Sequence, residues 1–436
     1  MRCSILKRRP SAWVRSSMSV ALLACSPSAG ATVFPEGIEY NLEAEAIGRY
    51  ESNPFRFSNN SPEQDRSSMV LHSAVRGGLV VPLLSERTRL EMSGTYGKTK
   101  YSRFRQLDHD PAHLDTALYW SAGRLLTGSV SYMYDNRLYP YLERTWPNRN
   151  MTATRRWSTV AGLKLSDSLT FPWVSLSSTR VTYEDDETAM FFNRRVHQAQ
   201  LSARYAGMQQ SSMEFGARTI RADYFDRTPD WIELIDRRYR EREIFGEVTW
   251  QPSHRTSLHT ALAHRKRAYD ALDHRDVNMP YFNLKLGWRY SIITRFDFAA
   301  WHYSYANDED PEALYGTVTA GRAQVRWQPS DKTWVSLALT HEREIQTLIS
   351  GERGRERTTW RLGPRFEWQA NPNVRFILDG WHDHTRRESS GGGFKQTVVR
   401  FGIVLITDNG YKRPSRIQWH PECDPPRPLE TLACQP

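Results

Sequence analysis

Four histidines lie at a constant sequence distance after tryptophans. Histidine is the residue in this chain best suited to bind a metal or to transfer a proton. Each lies 14 residues after a tryptophan: His264, His302, His341 and His382. On neighbouring copies of a repeated unit they would lie at one height, as a ring of metal ligands or proton-responsive groups. The alternative is an interfacial girdle. Each histidine continues an apolar alternation, which favours the girdle.

A second set of residues lies on the opposite face of the alternating segments. Its members are Arg265, Arg295, Asp297, Trp301, Tyr303, Arg365, Arg375, Trp381 and Arg400. Aromatic faces stack on sugar rings, and arginine beside carboxylates hydrogen-bonds hydroxyls and favours acidic sugars. We therefore take these nine as candidate lumen-facing substrate contacts. The alternative is an ordinary polar wall whose mixed charges are solvated or paired.

The sequence contains no pattern typical of an enzyme. No serine stands out with a nearby histidine and acid, and there is no glycine-rich phosphate loop. The segment His382-Asp383-His384 is more typical of a strand end than of a pair of metal ligands. We predict no catalytic residue, no metal site and no cofactor.

The elements that position these residues are indicated by a recurring tryptophan. Trp250, Trp288, Trp327 and Trp368 follow one another at 38, 39 and 41 residues, each just before a short turn. Looser copies can be placed upstream at Val81, Trp120, Leu163 and Tyr205. A recurrence of this length predicts one supersecondary unit used many times.

Each repeat contains two runs that alternate with a period of two, which is the signature of a strand. Ile244, Val248 and Trp250 share one face, whereas Phe245 and Glu247 share the other. The runs are roughly 10 to 14 residues long, the length that a tilted strand needs to cross a bilayer. A propeller or a soluble β-sandwich array is the alternative, but a propeller blade needs four shorter strands.

Counting the runs predicts about 18 antiparallel strands. Eight hairpins give sixteen strands, one run from residue 38 to 46 precedes them, and another from 395 to 405 follows. Both termini then lie at the end with the short turns, which in bacterial outer-membrane barrels is the periplasmic end. We therefore predict an all-β transmembrane outer-membrane barrel over residues 32–407.

Composition agrees with a barrel and excludes other classes. A mean hydropathy of −0.65 and 25% charged residues exclude a helical membrane protein, but a barrel needs only every second residue to be apolar. Basic and acidic residues are interleaved rather than clustered, which argues against nucleic-acid binding despite a pI of 9.4.

The N-terminus predicts a cleaved signal peptide over residues 1–31. It has a basic region, an apolar core from Met18 to Ala24 and the small-residue site Ala29-Gly30-Ala31. Removal of its five basic residues changes the net charge from +10 to +5. Leu22-Leu23-Ala24-Cys25 also resembles a lipobox, so lipidation of Cys25 is the alternative.

The C-terminal segment 408–436 is a proline-rich tail, predicted to be periplasmic. Cys423 and Cys434 lie in it, and in an oxidising compartment we expect them to form a disulfide. A metal site is the alternative, but only His420 is nearby.

Short motifs carry a family resemblance. Tyr50-Glu51-Ser52-Asn53-Pro54-Phe55-Arg56 resembles the Asp-Asn-x-Phe-Arg signature of EpsL-type outer-membrane proteins of exopolysaccharide loci. The segments 221–226, 250–253, 265–269 and 274–276 are similar too. The chain departs from the family at Pro54 and in its cysteine-bearing tail.

The resemblance implies an outer-membrane barrel that serves polysaccharide assembly or export, as a conduit or an accessory. The expected partners are outer-membrane lipid and lipopolysaccharide, polysaccharide, the barrel-assembly machinery and other polysaccharide-export proteins. The alternatives are a general or substrate-selective porin and a closed structural or surface-interaction barrel. We expect the outer membrane of a Gram-negative cell as the location, with both termini periplasmic.

Overall fold

The computed structural model describes residues 38–59, 66–85, 88–139, 149–207, 211–306, 310–387 and 392–408. The predicted signal peptide, Cys25, and the tail cysteines Cys423 and Cys434 lie outside these residues. Cleavage, lipidation and the disulfide therefore remain predictions.

Eighteen strands make up most of the described chain. In chain order they are β1 (Glu39–Glu51), β2 (Ser68–Ser85), β3 (Thr88–Tyr101), β4 (Ala112–Ala122), β5 (Leu126–Leu138), β6 (Met151–Lys164), β7 (Leu169–Tyr183), β8 (Arg194–Ala206), β9 (Ser212–Asp223), β10 (Arg238–Ser253), β11 (Thr256–Tyr269), β12 (Val277–Arg289), β13 (Thr294–Ala306), β14 (Ala313–Ser330), β15 (Thr333–Leu348), β16 (Arg353–Asn371), β17 (Val374–Arg387) and β18 (Phe394–Asp408). The predicted count is confirmed.

The strands form one closed antiparallel sheet. Every strand pairs with its neighbours in sequence, and β1 pairs with both β2 and β18. Ala44 on β1, for example, lies opposite Val75 on β2 and Leu405 on β18. Closure leaves no edge strand. A single closed sheet of this kind excludes the propeller and the sandwich array.

The two ends of the barrel differ in their connections. The eight hairpins of the repeat close through two to five residues, as between Ser253 and Thr256. The other end, called the mouth below, carries connections of four to sixteen residues. β1 begins and β18 ends at the short-turn end, as the repeat predicts.

The predicted alternation of faces is confirmed. Ile244 is 73% exposed, whereas the next residue, Phe245, is 5% exposed. The exposed side of the strands carries a band of large apolar residues, among them Leu262, Leu337 and Leu405. An apolar band around a closed barrel is the surface that lipid covers. The side chains between the apolar ones consequently face the interior.

Short helices occur only in mouth connections of the described chain. α1 (Asp186–Phe192) lies between β7 and β8, and α2 (Pro229–Ile235) lies between β9 and β10. Single 3₁₀ turns, Arg105–Leu107 and Asp273–Arg275, follow β3 and β11. In the described residues, no helix is long and apolar enough to cross a membrane.

Candidate functional site

The inner wall contains a row of arginines aligned by strand register. From β12 through β18 to β1, one residue on each strand lies directly opposite a residue of the next strand. Six of these eight residues are arginines: Arg289, Arg295, Arg326, Arg365, Arg400 and Arg49. The other two residues in this line of cross-strand partners are Ser336 on β15 and Asp379 on β17. We call these six residues the arginine row.

The arginine row climbs through the barrel. Arg289 is the last residue of β12 at the short-turn end, whereas Arg49 is two residues from the mouth end of β1. The climb follows from barrel geometry, because strands tilt about 35–45° and a line of paired residues therefore rises along the axis. The row runs from one opening of the barrel towards the other.

Four carboxylates compensate only part of this charge. Asp297 contacts Arg295 at 2.8 Å and Arg326 at 3.1 Å. Glu367 lies 2.7 Å from Arg365, and Glu51 lies 2.7 Å from Arg49. Asp379 serves both Arg400 and Arg365. In the described structure, the six cations of the row thus share four ion-paired carboxylates.

The short-turn part of the row is open to the interior. The side chains of Arg295 and Arg326 are 46% and 51% exposed, whereas that of Arg400 is 10% exposed. Because all three face inwards, the exposed guanidinium groups of β13 and β14 lie in the aqueous interior. They are available to a solute.

The part of the row on β16 to β18 forms a packed cluster. Asp379 accepts two hydrogen bonds from Arg400, and the guanidinium of Arg400 lies 5.1 Å from the centre of the Trp381 ring. Arg361 covers the same ring at 5.7 Å. Trp381 is consequently 7% exposed, so its ring is covered by arginine in the resting structure rather than open to a sugar.

Arg265 belongs to a separate, buried network on β9 to β11. Its Nε donates to Glu243 at 2.6 Å, and Glu243 also contacts Arg218 at 2.5 Å. Arg267 pairs with Glu241 at 2.6 Å and is fully buried. Three guanidinium groups share two carboxylates here, and their contacts brace the wall beneath the mouth connections.

The remaining candidates do not join either cluster. Trp301 faces inwards between Asn283 and Ala320 and is partly exposed, whereas the neighbouring inward residue Tyr303 is 6% exposed. Arg375 lies near the short-turn end, and its buried Nε has no hydrogen-bond partner among the described residues.

The wall across the lumen is rich in hydroxyl groups. In the circular order, β4 to β7 lie nine strands from β13 to β16 and therefore face them. Inward serines on β5 to β7 are Ser129, Ser131, Ser158, Ser175 and Ser177. A solute in the lumen would meet the arginine row on one side. On the other side it would meet these hydroxyl groups together with the inward charges of Arg156 and Asp135.

The motif at residues 50–56 folds as an anchor in the mouth. The Asn53 side chain both donates to the Phe57 carbonyl and accepts from the Phe57 amide, at 2.9 and 3.0 Å. Phe55 is 4% exposed and packs with Val70, Tyr101 and Leu107. The motif thus holds the first mouth connection against inward residues of β2 and β3.

The next motif residue, Arg56, has a backbone φ of 54°, in the left-handed region. Its side chain donates to Gln396 on β18 at 3.3 Å. Arg56 therefore ties the first mouth connection to the last strand.

Buried arginines tie other mouth connections together. Arg275 is fully buried and donates to the carbonyls of Pro311 and Ala313, at 2.8 and 2.9 Å. Arg227 lies 3.6 Å from the centre of the Tyr224 ring and donates to the Phe191 carbonyl. The described parts of these mouth connections are thus packed against one another through buried arginines.

The four repeated histidines lie on the outward face. The side chains of His302 and His382 are hydrogen-bonded to Thr319 and Thr397, each at 2.9 Å, and His341 packs on Trp360. No group of three or more candidate metal ligands occurs among the described residues. Their outward position agrees with the girdle interpretation.

Register reveals residues that the sequence pattern did not single out. These residues are Arg289, Arg326 and Arg49 of the arginine row. The alternation of faces predicts that Arg326 points inwards, but it does not predict which residues lie beside Arg326 on the adjacent strands. Only the register of β13 against β14 places it beside Arg295.

Comparisons with known proteins support the barrel fold. The solved structures of OpdQ and OccK1 (OpdK) from Pseudomonas aeruginosa are 9% and 10% identical to this chain, and each superposes with a TM-score of 0.50. Each alignment covers 86% of this chain and 100% of the other. A structure of OpdK with vanillate gives 11% identity, the same coverage and the same TM-score. OpdK is an outer-membrane protein.

No protein-family model matches the chain, and no curated protein matches it. At these identities the likeness establishes a fold. The chain is a closed 18-stranded antiparallel β-barrel with the fold of these outer-membrane proteins.

Proposed function

We propose that this barrel is a solute-selective outer-membrane channel for anionic, hydroxyl-bearing solutes, with acidic sugars as the substrate class. The observation that carries the proposal is the arginine row, which climbs from the short-turn end to the mouth and exposes Arg295 and Arg326 to the interior. An anion that leaves water for a narrow lumen loses hydration. Guanidinium groups at successive heights compensate that loss along the way.

The difference between the arginine side and the serine side of the lumen favours a sugar over a simple anion as the solute. Arginine binds carboxylate and phosphate groups through paired hydrogen bonds. The serines of β5 to β7 offer hydrogen bonds to the hydroxyl groups on the other side of the same solute.

Planar-bilayer measurements of the refolded barrel test this proposal. The variant Arg295→Gln/Arg326→Gln removes the exposed part of the row, and its reversal potential in a salt gradient should shift towards cation selectivity. The control Arg89→Gln/Arg204→Gln removes two inward, comparably exposed charges outside the row. A shift as large in the control would show that only total lumen charge matters, and an absence of current would favour a closed structural barrel.

A polysaccharide conduit is the second candidate function. The observation in its favour is the segment Tyr50–Arg56, which resembles the EpsL-type signature and lies in the mouth near Arg49. In this case the exported polymer would thread the barrel, with polysaccharide-export proteins on the periplasmic side. Purified acidic polysaccharide should then block the current more persistently than its own monosaccharide, whereas equal block would favour the small-solute channel.

Both candidate functions imply the same route of assembly and the same orientation in the membrane. We expect insertion by the barrel-assembly machinery into the outer membrane of a Gram-negative cell, with the short-turn end and both termini periplasmic. Protease added to intact cells should then cleave mouth connections and spare the hairpin turns.

A further inference from the structure

The outward face of β6 to β11 carries a band of cations at its mouth end. The residues share the face of the exposed apolar side chains, and all are exposed: Arg155, Arg180, Arg195, Arg221, Arg240, Arg242 and Lys266. We call these seven residues the outer basic belt. They lie on the outside of the barrel, so they take no part in a lumen pathway.

Strand register brings like charges of the belt together. Arg180 lies directly opposite both Arg155 and Arg195. Arg221 lies opposite Arg240, and Arg242 opposite Lys266. Side chains directly opposite on antiparallel strands are about 4.5–5.5 Å apart at Cβ, and like charges there destabilise the sheet.

Within the described structure, no carboxylate forms an ion pair with a belt residue. The nearby outward carboxylate of Asp223 contacts Arg237 and Arg238 instead, at 3.0 and 3.5 Å. On the lumen side, by contrast, Asp297 stands between the adjacent Arg295 and Arg326. Outward Arg343, elsewhere at the mouth end, has Glu356 at 2.6 Å. An anion bound from outside the barrel would therefore reduce the repulsion between the positive charges of the belt.

The belt directly adjoins the apolar band on two strands, β6 and β10. Arg155 is two residues from Trp157, which is 58% exposed, and Arg242 is two residues from Ile244. Two strand residues span about 7 Å. The belt therefore lies at the level of the membrane where lipid headgroup phosphates meet the acyl chains. The longer connections mark the outer leaflet side in barrels of this class.

We propose that the outer basic belt binds the phosphorylated headgroup of lipopolysaccharide, with the acyl chains lying on the apolar residues below. Six adjacent strands present the belt over about 24 Å, at about 4.8 Å per strand. Arginine pairs with phosphate through two parallel hydrogen bonds. A lipid that joins several phosphates and acyl chains in one molecule matches this width, whereas a phospholipid with one phosphate contacts only one or two belt residues. The inference is independent of the channel function.

Native mass spectrometry of the purified barrel in detergent tests the proposal. The lipids are bisphosphorylated lipid A, its monophosphorylated form and phosphatidylglycerol at equal concentrations. We expect bisphosphorylated lipid A to bind most tightly. The variant Arg180→Gln/Arg195→Gln/Arg221→Gln/Arg240→Gln should lose at least about tenfold in affinity for it.

A matched control removes four outward cations elsewhere at the mouth end: Lys98→Gln/Lys100→Gln/Arg343→Gln/Arg386→Gln. Its affinity should change by less than about twofold. An equal loss in the control, an unchanged belt variant, or phosphatidylglycerol binding as tightly as lipid A would each overturn the proposal. Heat-dependent mobility in gels verifies folding. If the quadruple variant does not fold, Arg180→Gln/Arg195→Gln, with Lys98→Gln/Arg343→Gln as its control, decides the question in the same assay.

Discussion

Asp379 holds Arg400 through two hydrogen bonds, at 2.6 and 2.7 Å, between neighbouring strands of the inner wall. Both residues are buried, and Arg400 in turn covers Trp381. Asp379 also lies 3.8 Å from Arg365, so one carboxylate joins two members of the arginine row. The pair fixes the middle of the row in place.

The substitution Asp379→Asn should therefore destabilise the barrel. It leaves a buried guanidinium without its counter-charge, and breaking such a pair costs about 3–5 kcal/mol. Urea unfolding of the barrel in lipid vesicles measures the change in free energy of unfolding. Ser336→Ala, in the same register row, is the control and should have little effect. A loss below about 1 kcal/mol would mean that the pair is solvated rather than structural.

Substitutions on the two faces of β15 should differ strongly. Leu337→Arg, like Leu405→Arg on β18, puts a charge into the apolar band and should cost about 2–4 kcal/mol at mid-depth. Ser336→Arg faces the lumen and should be mild. The same unfolding assay measures all three variants. Equal losses on both faces would contradict the assignment of inside and outside.

Removing three inward arginines should affect transport without affecting assembly. Arg295→Gln/Arg365→Gln/Arg375→Gln lowers the positive charge along the lumen, so a polysaccharide conduit should deliver less acidic polymer to the cell surface. Its ion selectivity should also move towards cations. Surface polysaccharide is measured against the amount of folded barrel. If polymer and selectivity both stay unchanged in folded protein, the conduit interpretation loses its physical basis.

The mouth should loosen in acid around His109. Its backbone bridges Thr99, and its Nδ1 lies 2.8 Å from the Leu107 carbonyl oxygen. Burial lowers the pKa of His109, and the nearby Arg49 and His72 act in the same direction, whereas the Leu107 carbonyl and Asp110 oppose them. The neutral His109 ring contributes its full stabilisation of the folded mouth above the ordinary histidine pKa of about 6.5. That stabilisation falls as the pH drops below this value, because the unfolded chain binds a proton more readily than the folded one.

Hydrogen exchange checks this prediction. The Thr99 and Leu107 amides should lose protection between about pH 7.5 and 5.5, after correction for intrinsic rates, and His109→Gln should abolish that dependence. The Tyr269 amide, which donates to Asp276 in a similar connection after β11, is the internal control. The same pH dependence in the variant would assign the effect to another group.

Cys423 and Cys434 should be linked in mature protein. A disulfide between them closes a small loop, which stabilises the tail by about 2–3 kcal/mol if unstrained. Peptide mapping under non-reducing conditions detects the linked peptides. Free thiols at both positions would show that the tail is reduced or does not bring them together.

Sequence alone was sufficient for the strand count and for the two faces. The recurrence of Trp250, Trp288, Trp327 and Trp368 marks the short turns, and alternation separates Leu337 from Ser336. Both signals are local, since the pleat of a strand turns successive side chains to opposite sides. A chain with 25% charged residues can therefore still be identified as a membrane barrel.

Register and packing were decided only by the tertiary structure. Arg295 and Arg326 become neighbours through the pairing of β13 with β14, and Arg400 reaches Arg49 only because the barrel closes. Trp381 faces the lumen as alternation predicts, yet arginines from β16 and β18 cover it. Contacts between distant segments depend on closure and stagger, which no local pattern encodes. Face assignment was thus a property of the sequence, whereas the arginine row and the outer basic belt are properties of the closed sheet.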